Sequence, residues 1–303
     1  MAAIINALTP GFVAEVGDID LAAPLADEDF AIIAGAFADY AVLVFPDQRL
    51  TQQQQLAFAA RFGPLESNLL GYNKDAEFRL HPTLVDISNL SAQGAIWAAD
   101  SRMRQFYLGN QLWHTDSSFK FVPALCSLLY AHRIAPIGGH TEFADMRAAY
   151  DALDATRKAG LEGLIAVHAL AYSRARIGFD DFTAAETQNL PPVPQVLIRV
   201  LPENGRRALY LASHIGAVVG MADAAARELV DELMSHATQR QFCYLHRWRS
   251  GDLVMWDNRA TMHRGTPFDD QRYVRDLHRA TVSDRDNSCR LAGVEPPALA
   301  RAS

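Results

Sequence analysis

Two stretches of the chain carry residues able to do chemistry. One is Asn110-Gln-Leu-Trp-His114-Thr-Asp116; the other is Trp256-Asp-Asn-Arg-Ala-Thr-Met-His263. Side chains alternate with period two in an extended strand, so a His-x-Asp pair there projects an imidazole and a carboxylate from one side. A further His from far along the chain would complete three ligands on one face of a metal. Two histidines and a carboxylate suit non-haem Fe(II) and leave coordination positions open; zinc accepts the same donors. Downstream, Arg275 and Arg279 are four apart, hence on one face of a regular strand, with Arg272 nearby. A guanidinium turned inward beside a metal needs an anionic partner. Two of them suit two carboxylate-bearing small molecules, each able to take a bidentate pair. Solvent-facing arginines are the alternative reading of the same spacing.

Groups so far apart in sequence need a scaffold that folds distant strands around one pocket. The chain has 303 residues, half of them hydrophobic, enough for a sizeable core without disulfides. Cys126, Cys243 and Cys289 show no paired spacing and read as reduced thiols. A net charge of -7 argues against nucleic acid as a partner. Met1-Ala-Ala-Ile-Ile-Asn6 has neither a basic n-region nor a long apolar run, and no apolar stretch reaches membrane-spanning length. The expectation is a cytoplasmic chain with no membrane partner, folded as a single domain over residues 1–303 and assembled as a homo-oligomer.

Strand signals dominate the pattern. Short strands are expected within residues 12–21, and the apolar run 41–45, ended by Pro46, reads as buried. Further strands are expected at 84–87, 125–134, 140–143, 196–200, 208–212, 242–248, 253–256 and 273–282, with Asn204-Gly205 turning one hairpin. Asp27 or Asp29 can cap a helix over 30–40 with Phe30, Ile33, Phe37 and Tyr40 on one face. Thr51-Gln-Gln-Gln54 is a capping box for a second helix, stopped by Gly63-Pro64. Asp145 and Asp154 can cap two short helices, and 223–237 is a helix with Leu229, Val230, Leu233, Met234 and Ala237 as its buried stripe. Segments 67–104 and 171–194 lack clear periodicity, which marks candidate lids over a site; ordinary surface excursions are the alternative. From Ser283 the tail is polar, then Pro/Ala-rich, and is expected to fray. The fold class indicated is mainly β with helical insertions, a double-stranded β-helix (jelly-roll, cupin-like) barrel.

Taken jointly, the motifs point to one family. They are Phe62-Gly-Pro-Leu-Glu66, Asp86-Ile-Ser-Asn89, the run from Asn110 to Phe119, Gly138-Gly-His-Thr-Glu-Phe143, the run from Asp145 to Leu153, Gly251 to Asn258, Met262-His-Arg264 and Arg275 to Thr281. They resemble the taurine / 2,4-dichlorophenoxyacetate dioxygenase family of Fe(II)- and 2-oxoglutarate-dependent enzymes, and within it the aryloxyalkanoate dioxygenases. The resemblance runs from about Leu8 to Val282. It implies His114, Asp116 and His263 as iron ligands, Fe(II) as the metal, and 2-oxoglutarate and O2 as co-substrates. It implies that Arg275 pairs with the distal carboxylate of 2-oxoglutarate and that Thr141 hydrogen-bonds it. Arg279 would hold the substrate's acid group, Asn110 would line the substrate side, and His214 falls in a region that approaches the pocket in similar enzymes.

The substrate so implied is a small anionic aromatic such as 2,4-dichlorophenoxyacetate, hydroxylated next to its ether oxygen. The resulting hemiacetal collapses to a phenol and glyoxylate, while 2-oxoglutarate yields succinate and CO2. A sulfonate such as taurine, or another small organic acid, is the alternative. A binding or hydrolytic metal cupin is a third reading, which a clamp made by Arg275 and Thr141 argues against. Two loops depart from the aryloxyacetate members, where Gly71 (with Lys74 nearby) and Ala95 stand in place of lysines. Trp248 and Trp256 read as core aromatics, and Asp257 and Asn258 as holders of a turn through backbone hydrogen bonds. His278 reads as structural or exposed, and His140 and His246 as ordinary surface or satisfied histidines.

Overall fold

A computed structural model describes residues 3–67 and 78–299. In chain order the elements begin with β1 (Ile4–Thr9), β2 (Val13–Gly17), α1 (Asp27–Tyr40), β3 (Val42–Phe45), α2 (Gln52–Ala60), β4 (Val85–Ser88), α3 (Arg102–Leu108), β5 (Ala124–Arg133), β6 (Thr141–Asp145), α4 (Met146–Asp151), α5 (Ala155–Leu161) and β7 (Ile165–His168). There follow α6 (Leu170–Ala175), α7 (Ala184–Asn189), β8 (Val193–Val196), β9 (Ile198–Val200), β10 (Arg207–Leu209), β11 (Ile215–Val218), α8 (Asp223–Ala237), β12 (Cys243–His246), β13 (Leu253–Asp257), β14 (Thr261–Gly265), β15 (Asp276–Ser283) and α9 (Ser288–Leu291). The molecule is mainly β with helices.

A large sheet runs β1-β2-β3-β13-β5-β15-β4, and a smaller one runs β12-β6-β14. Alternation along β13 shows how they stack. Leu253 and Met255 join a core with Ile33 and Phe37 of α1 and Phe58 of α2, whereas Val254 and Trp256 join Phe143 of β6. The large sheet is therefore apolar on both faces, so its strands read as continuous apolar runs rather than alternating ones. One face is covered by α1 and α2, the other by the smaller sheet. The outer face of the smaller sheet, with Ala144 and Met262, packs in turn with Met146 and Ala149 of α4 and Leu229 and Leu233 of α8. The space between the two sheets is where polar side chains collect.

Local signals were kept in most places and overridden in a few. Thr51 caps α2 with both halves of its capping box, and Asp145 and Asp154 cap α4 and α5. α1 starts earlier than the sequence indicates, at Asp27 after Ala26, which offers no capping side chain. Its three acidic residues in the first turn oppose the helix dipole instead, and Asp29 accepts the backbone N–H of Ala3. Segment 171–194 is not irregular: it holds most of α6 and all of α7, the latter opened by a Thr183/Glu186 capping box. Ser101 likewise caps α3 at the end of the first irregular segment. The tail does not fray at Ser283. Asp284 pairs with the buried Arg199, and Asn287 caps α9 while its amide donates to the carbonyls of Phe121 and Pro194.

Candidate active site and metal centre

His114 and His263 are brought together by the backbone itself. The His114 N–H donates to the His263 carbonyl at 3.0 Å and the His263 N–H returns the bond at 2.8 Å, an isolated antiparallel bridge. The His-x-Asp pair does not lie in a regular strand: His114 is the bridge residue and Asp116 opens a turn in which Ser117 takes a φ of 53°. The side chains converge nonetheless. One ligand atom each from His114, Asp116 and His263 lie within 4.8 Å of one another, and all three residues are buried.

Each of the three is held by neighbours. His114 Nδ1 sits 2.7 Å from the Leu112 carbonyl, which can only accept, so Nδ1 carries the proton and Nε2 presents its lone pair toward Asp116, 3.9 Å away. His263 Nε2 lies 3.7 Å from the other Asp116 oxygen. That oxygen also accepts the Ser127 hydroxyl at 2.7 Å, and the Asp116 N–H donates to the Asn258 side chain. Asn258 ties the surroundings together by accepting from the Trp256 indole and donating to Ser127. Burial pushes both imidazoles below their ordinary pKa. Burial would raise the Asp116 carboxyl, but the Arg279 charge outweighs it and the group is held at about 2. Two neutral imidazoles and an ionised carboxylate are a donor set that fits ferrous iron.

Two cavities meet at this cluster, and His114, Asn110 and Arg279 line both. The smaller, of about 120 Å³, contains Arg275 and Thr141. Arg275 precedes β15, whose pairing with β5 shifts register between Asp276 and Leu277, yet it reaches the same interior as Arg279. Its Nε donates to the Gly139 carbonyl at 2.8 Å and an η nitrogen to the Ile87 carbonyl at 3.3 Å. Among the described residues no carboxylate pairs with it, and burial pulls the guanidinium down to about 10. Gly139, with a φ of 65°, lets the backbone pass close beneath: a Cβ there would lie 3.1 Å from Arg275 Cδ. The Thr141 hydroxyl accepts the Trp248 indole N–H at 3.0 Å, which leaves its own proton to donate into the cavity. Trp248 is thus a core aromatic with an orienting role that its position in the sequence does not reveal.

The larger cavity, of about 510 Å³, contains Arg279, His214 and the apolar side chains of Met103, Phe106, Phe119, Leu170, Phe182 and Leu190. Both segments that lack periodicity contribute to it, 67–104 through Ser67, Val85 and Met103 and 171–194 through Arg174, Phe182 and Leu190. Arg279 pairs with Asp116, and its Nε has no hydrogen-bond partner among the described residues. His214 is buried, its Nδ1 is 2.9 Å from the Ser173 hydroxyl oxygen, and burial, with the Arg174 charge nearby, drives its pKa well below the ordinary value. It therefore meets the cavity as a neutral ring. Arg174, Phe106 and Tyr107 escaped the sequence reading, because nothing in their spacing sets them apart from surface residues.

The remaining candidates are bystanders. Arg272 is exposed and lies over Tyr273. His278 is buried on the opposite face of β15, where it bonds Asp276. His246 is buried and bonds Asp252, and His140 is half-buried. Ala95 is exposed, and Gly71 and Lys74 lie outside the described residues.

Residues 5–281 match the model of the taurine catabolism dioxygenase TauD, TfdA family, and the chain belongs to that family. Among its relatives is the alpha-ketoglutarate-dependent 2,4-dichlorophenoxyacetate dioxygenase of Cupriavidus pinatubonensis, 44% identical over 94% of this chain and 99% of that one. The (S)-phenoxypropionate/alpha-ketoglutarate-dioxygenase of Sphingobium herbicidovorans is 36% identical over 82% and 84% of the two chains. A crystal structure of AAD-2 in complex with Mn(II) and N-oxalylglycine superposes with a TM-score of 0.91 at 46% identity, covering 95% of this chain and 100% of that one.

Proposed function

We propose that this chain is an Fe(II)- and 2-oxoglutarate-dependent dioxygenase that hydroxylates an aryloxyalkanoate such as 2,4-dichlorophenoxyacetate. The observation that carries this reading is the pair of cavities sharing His114, one with an arginine that lacks an anionic partner among the described residues and the other broad and largely apolar. His114, Asp116 and His263 would hold the iron. Bound there, ferrous iron supplies the activation of O2 that carbon hydroxylation requires. Arg275 and Thr141 would take the distal carboxylate of 2-oxoglutarate; N-oxalylglycine, held by AAD-2, has a like oxalyl head and distal carboxylate. Arg279 would take the substrate's acid group, with Asn110 and His214 lining the same cavity. The aromatic walls exclude water from the ring and aim the carbon next to the ether oxygen at the metal site. One oxygen atom goes to that carbon and one to succinate, CO2 leaves, and the hemiacetal falls to a phenol and glyoxylate.

We also infer a single catalytic domain built as a double-stranded β-helix, which the stacking of the two sheets around the site supports. The unpaired thiols of Cys126, Cys243 and Cys289 support a cytoplasmic location, and among the described residues no helix is long and apolar enough to cross a membrane. Exposed Ile4 and Leu8 on the edge strand β1 support assembly into a homo-oligomer. The functional test measures phenol and succinate side by side with 2,4-dichlorophenoxyacetate and with taurine. Equimolar phenol and succinate from the aryloxyacetate are expected; succinate with taurine and no phenol would overturn the aryl reading in favour of a sulfonate.

A further inference from the structure

Arg279 is not alone in the larger cavity. Arg102, Lys120 and Arg174 also line it, and their charges are answered very differently. Arg102 pairs with Asp181 and Glu186, Lys120 with Glu66, and Arg279 with Asp116. Arg174 has no carboxylate partner among the described residues, although it is 4% exposed. One η nitrogen donates to the Ser173 hydroxyl oxygen at 3.2 Å, and its buried Nε has no hydrogen-bond partner among the described residues. A desolvated guanidinium without an anion is costly, and the surroundings spend structure on keeping it in place. Its Cζ lies over the Phe106 ring, 4.3 Å from the centroid. Gly109 leaves room for it: a Cβ there would stand 2.5 Å from the guanidinium nitrogen. Ser173 is committed to the same arrangement, since its proton goes to the Leu170 carbonyl and its oxygen also meets His214.

We propose that Arg174 is a second anchor for the substrate's acid group, facing the cavity with a fork that no carboxylate among the described residues occupies, while Arg279, which lines the same cavity, is shared with Asp116. This rests on the reading of the larger cavity as the site of an organic acid. Two observations place the arginines at the same end of the cavity. Arg279 pairs with Asp116 of the metal cluster, and Arg174 bonds the Ser173 hydroxyl that also meets His214, whose ring centroid lies 5.9 Å from that of His114. Burial lowers Arg174 to about 10, so it stays protonated at neutral pH. A carboxylate held from two directions loses more freedom than one held by a single fork, which fixes the adjacent carbon against the metal site. A packing role alone, an arginine stacked on Phe106, would not call for a buried Nε without a hydrogen-bond partner among the described residues.

The test compares an acid with its neutral isostere on enzyme loaded with metal and 2-oxoglutarate in the absence of oxygen. Dissociation constants are measured by calorimetry for 2,4-dichlorophenoxyacetate and 2,4-dichlorophenoxyethanol, and for butanesulfonate and butanesulfonamide. In Arg174→Gln the preference for acid over neutral partner should fall by roughly 10- to 100-fold, the loss of one charge-assisted anchor, with affinity for the neutral partner retained. Arg174→Lys should keep part of the preference. Gly109→Ala, which pushes the guanidinium aside without removing its charge, should lower it as well and serves as the test if Arg174→Gln does not fold. An unchanged preference in Arg174→Gln, or in Gly109→Ala where that variant decides, overturns the proposal. So does an equal weakening of acid and neutral partner, or a wild type that does not distinguish them. If the wild type favours butanesulfonate over its amide but binds no aryloxyacetate, the aryl reading fails and the same variants decide Arg174 on the sulfonate pair.

Discussion

Replacing Arg275 by Lys keeps the charge in the smaller cavity and removes the fork. The native side chain is seated by two carbonyls, with Nε on Gly139 and an η nitrogen on Ile87, so its remaining N–H groups can face a ligand while the seat is held. The ammonium of the variant is a single point that must divide its donors between the seat and the carboxylate. One charge-assisted hydrogen bond is then lost, about 1.5–3 kcal/mol, or roughly 10- to 150-fold in affinity. The expected outcome is a rise of that size in the KM for 2-oxoglutarate, read as succinate released at saturating substrate. A keto acid without the distal carboxylate, 2-oxobutanoate, gives the internal control. It never used the fork, so the variant should process it no worse than the wild type does. An unchanged KM for 2-oxoglutarate, or an equal penalty on both keto acids, would refute the assignment and send the distal carboxylate to another residue.

His114→Ala, Asp116→Ala and His263→Ala should each abolish succinate formation and weaken binding of Mn(II) followed by calorimetry, with unchanged circular dichroism; full activity in any one would remove that residue from the metal set. Arg279→Ala should raise the KM for the aryloxyacetate and lower the yield of phenol per succinate, because a loosely held substrate is missed by the oxidant, and an intact yield would place the anchor elsewhere. His168 supplies a pH prediction: burial drives its pKa down to about 3, against about 6.5 in the unfolded chain. The unfolded state therefore binds more protons between those values, so the contribution is fully present above about pH 6.5 and is lost as the pH falls toward 3. The unfolding midpoint should drop across that window, and His168→Gln should flatten the drop; a slope identical to wild type would exclude His168 as its source.

The metal cluster was legible because its chemistry depends on residue type: few side chains other than His and Asp can serve, so a His-x-Asp and a remote His remain visible however the backbone carries them. The backbone reasoning behind the pair was less secure. The expected strand is one bridge residue followed by a turn, and the ligand atoms converge because His114 pairs directly with His263. Arg275 and Arg279 were found through spacing that the shifted register of β15 does not strictly honour; what both retain is a side chain that reaches the interior from either end of the irregularity. The apolar strands were legible from their runs, and α2, α4 and α5 from their caps.

What stayed hidden depends on pairings that have no period. The tail after Ser283 is polar in composition, which suggests fraying, yet Asp284 and Asn287 are buried because Arg199 and two carbonyls receive them. The Thr183/Glu186 box stands in a segment with no apolar stripe to mark it as a helix, and α7 buries none of its residues. Arg174 is the sharpest case. In Ala-Tyr-Ser-Arg-Ala-Arg it sits two residues from Arg176, and composition cannot tell them apart. Arg176 reaches Asp231 at the surface, whereas Arg174 turns under Phe106 and over Gly109. A short helix divides them, because positions two apart on it point nearly opposite ways. The specificity of such a site is therefore written where sequence patterns are weakest, in short helices whose inward residues are chosen by the cavity they line.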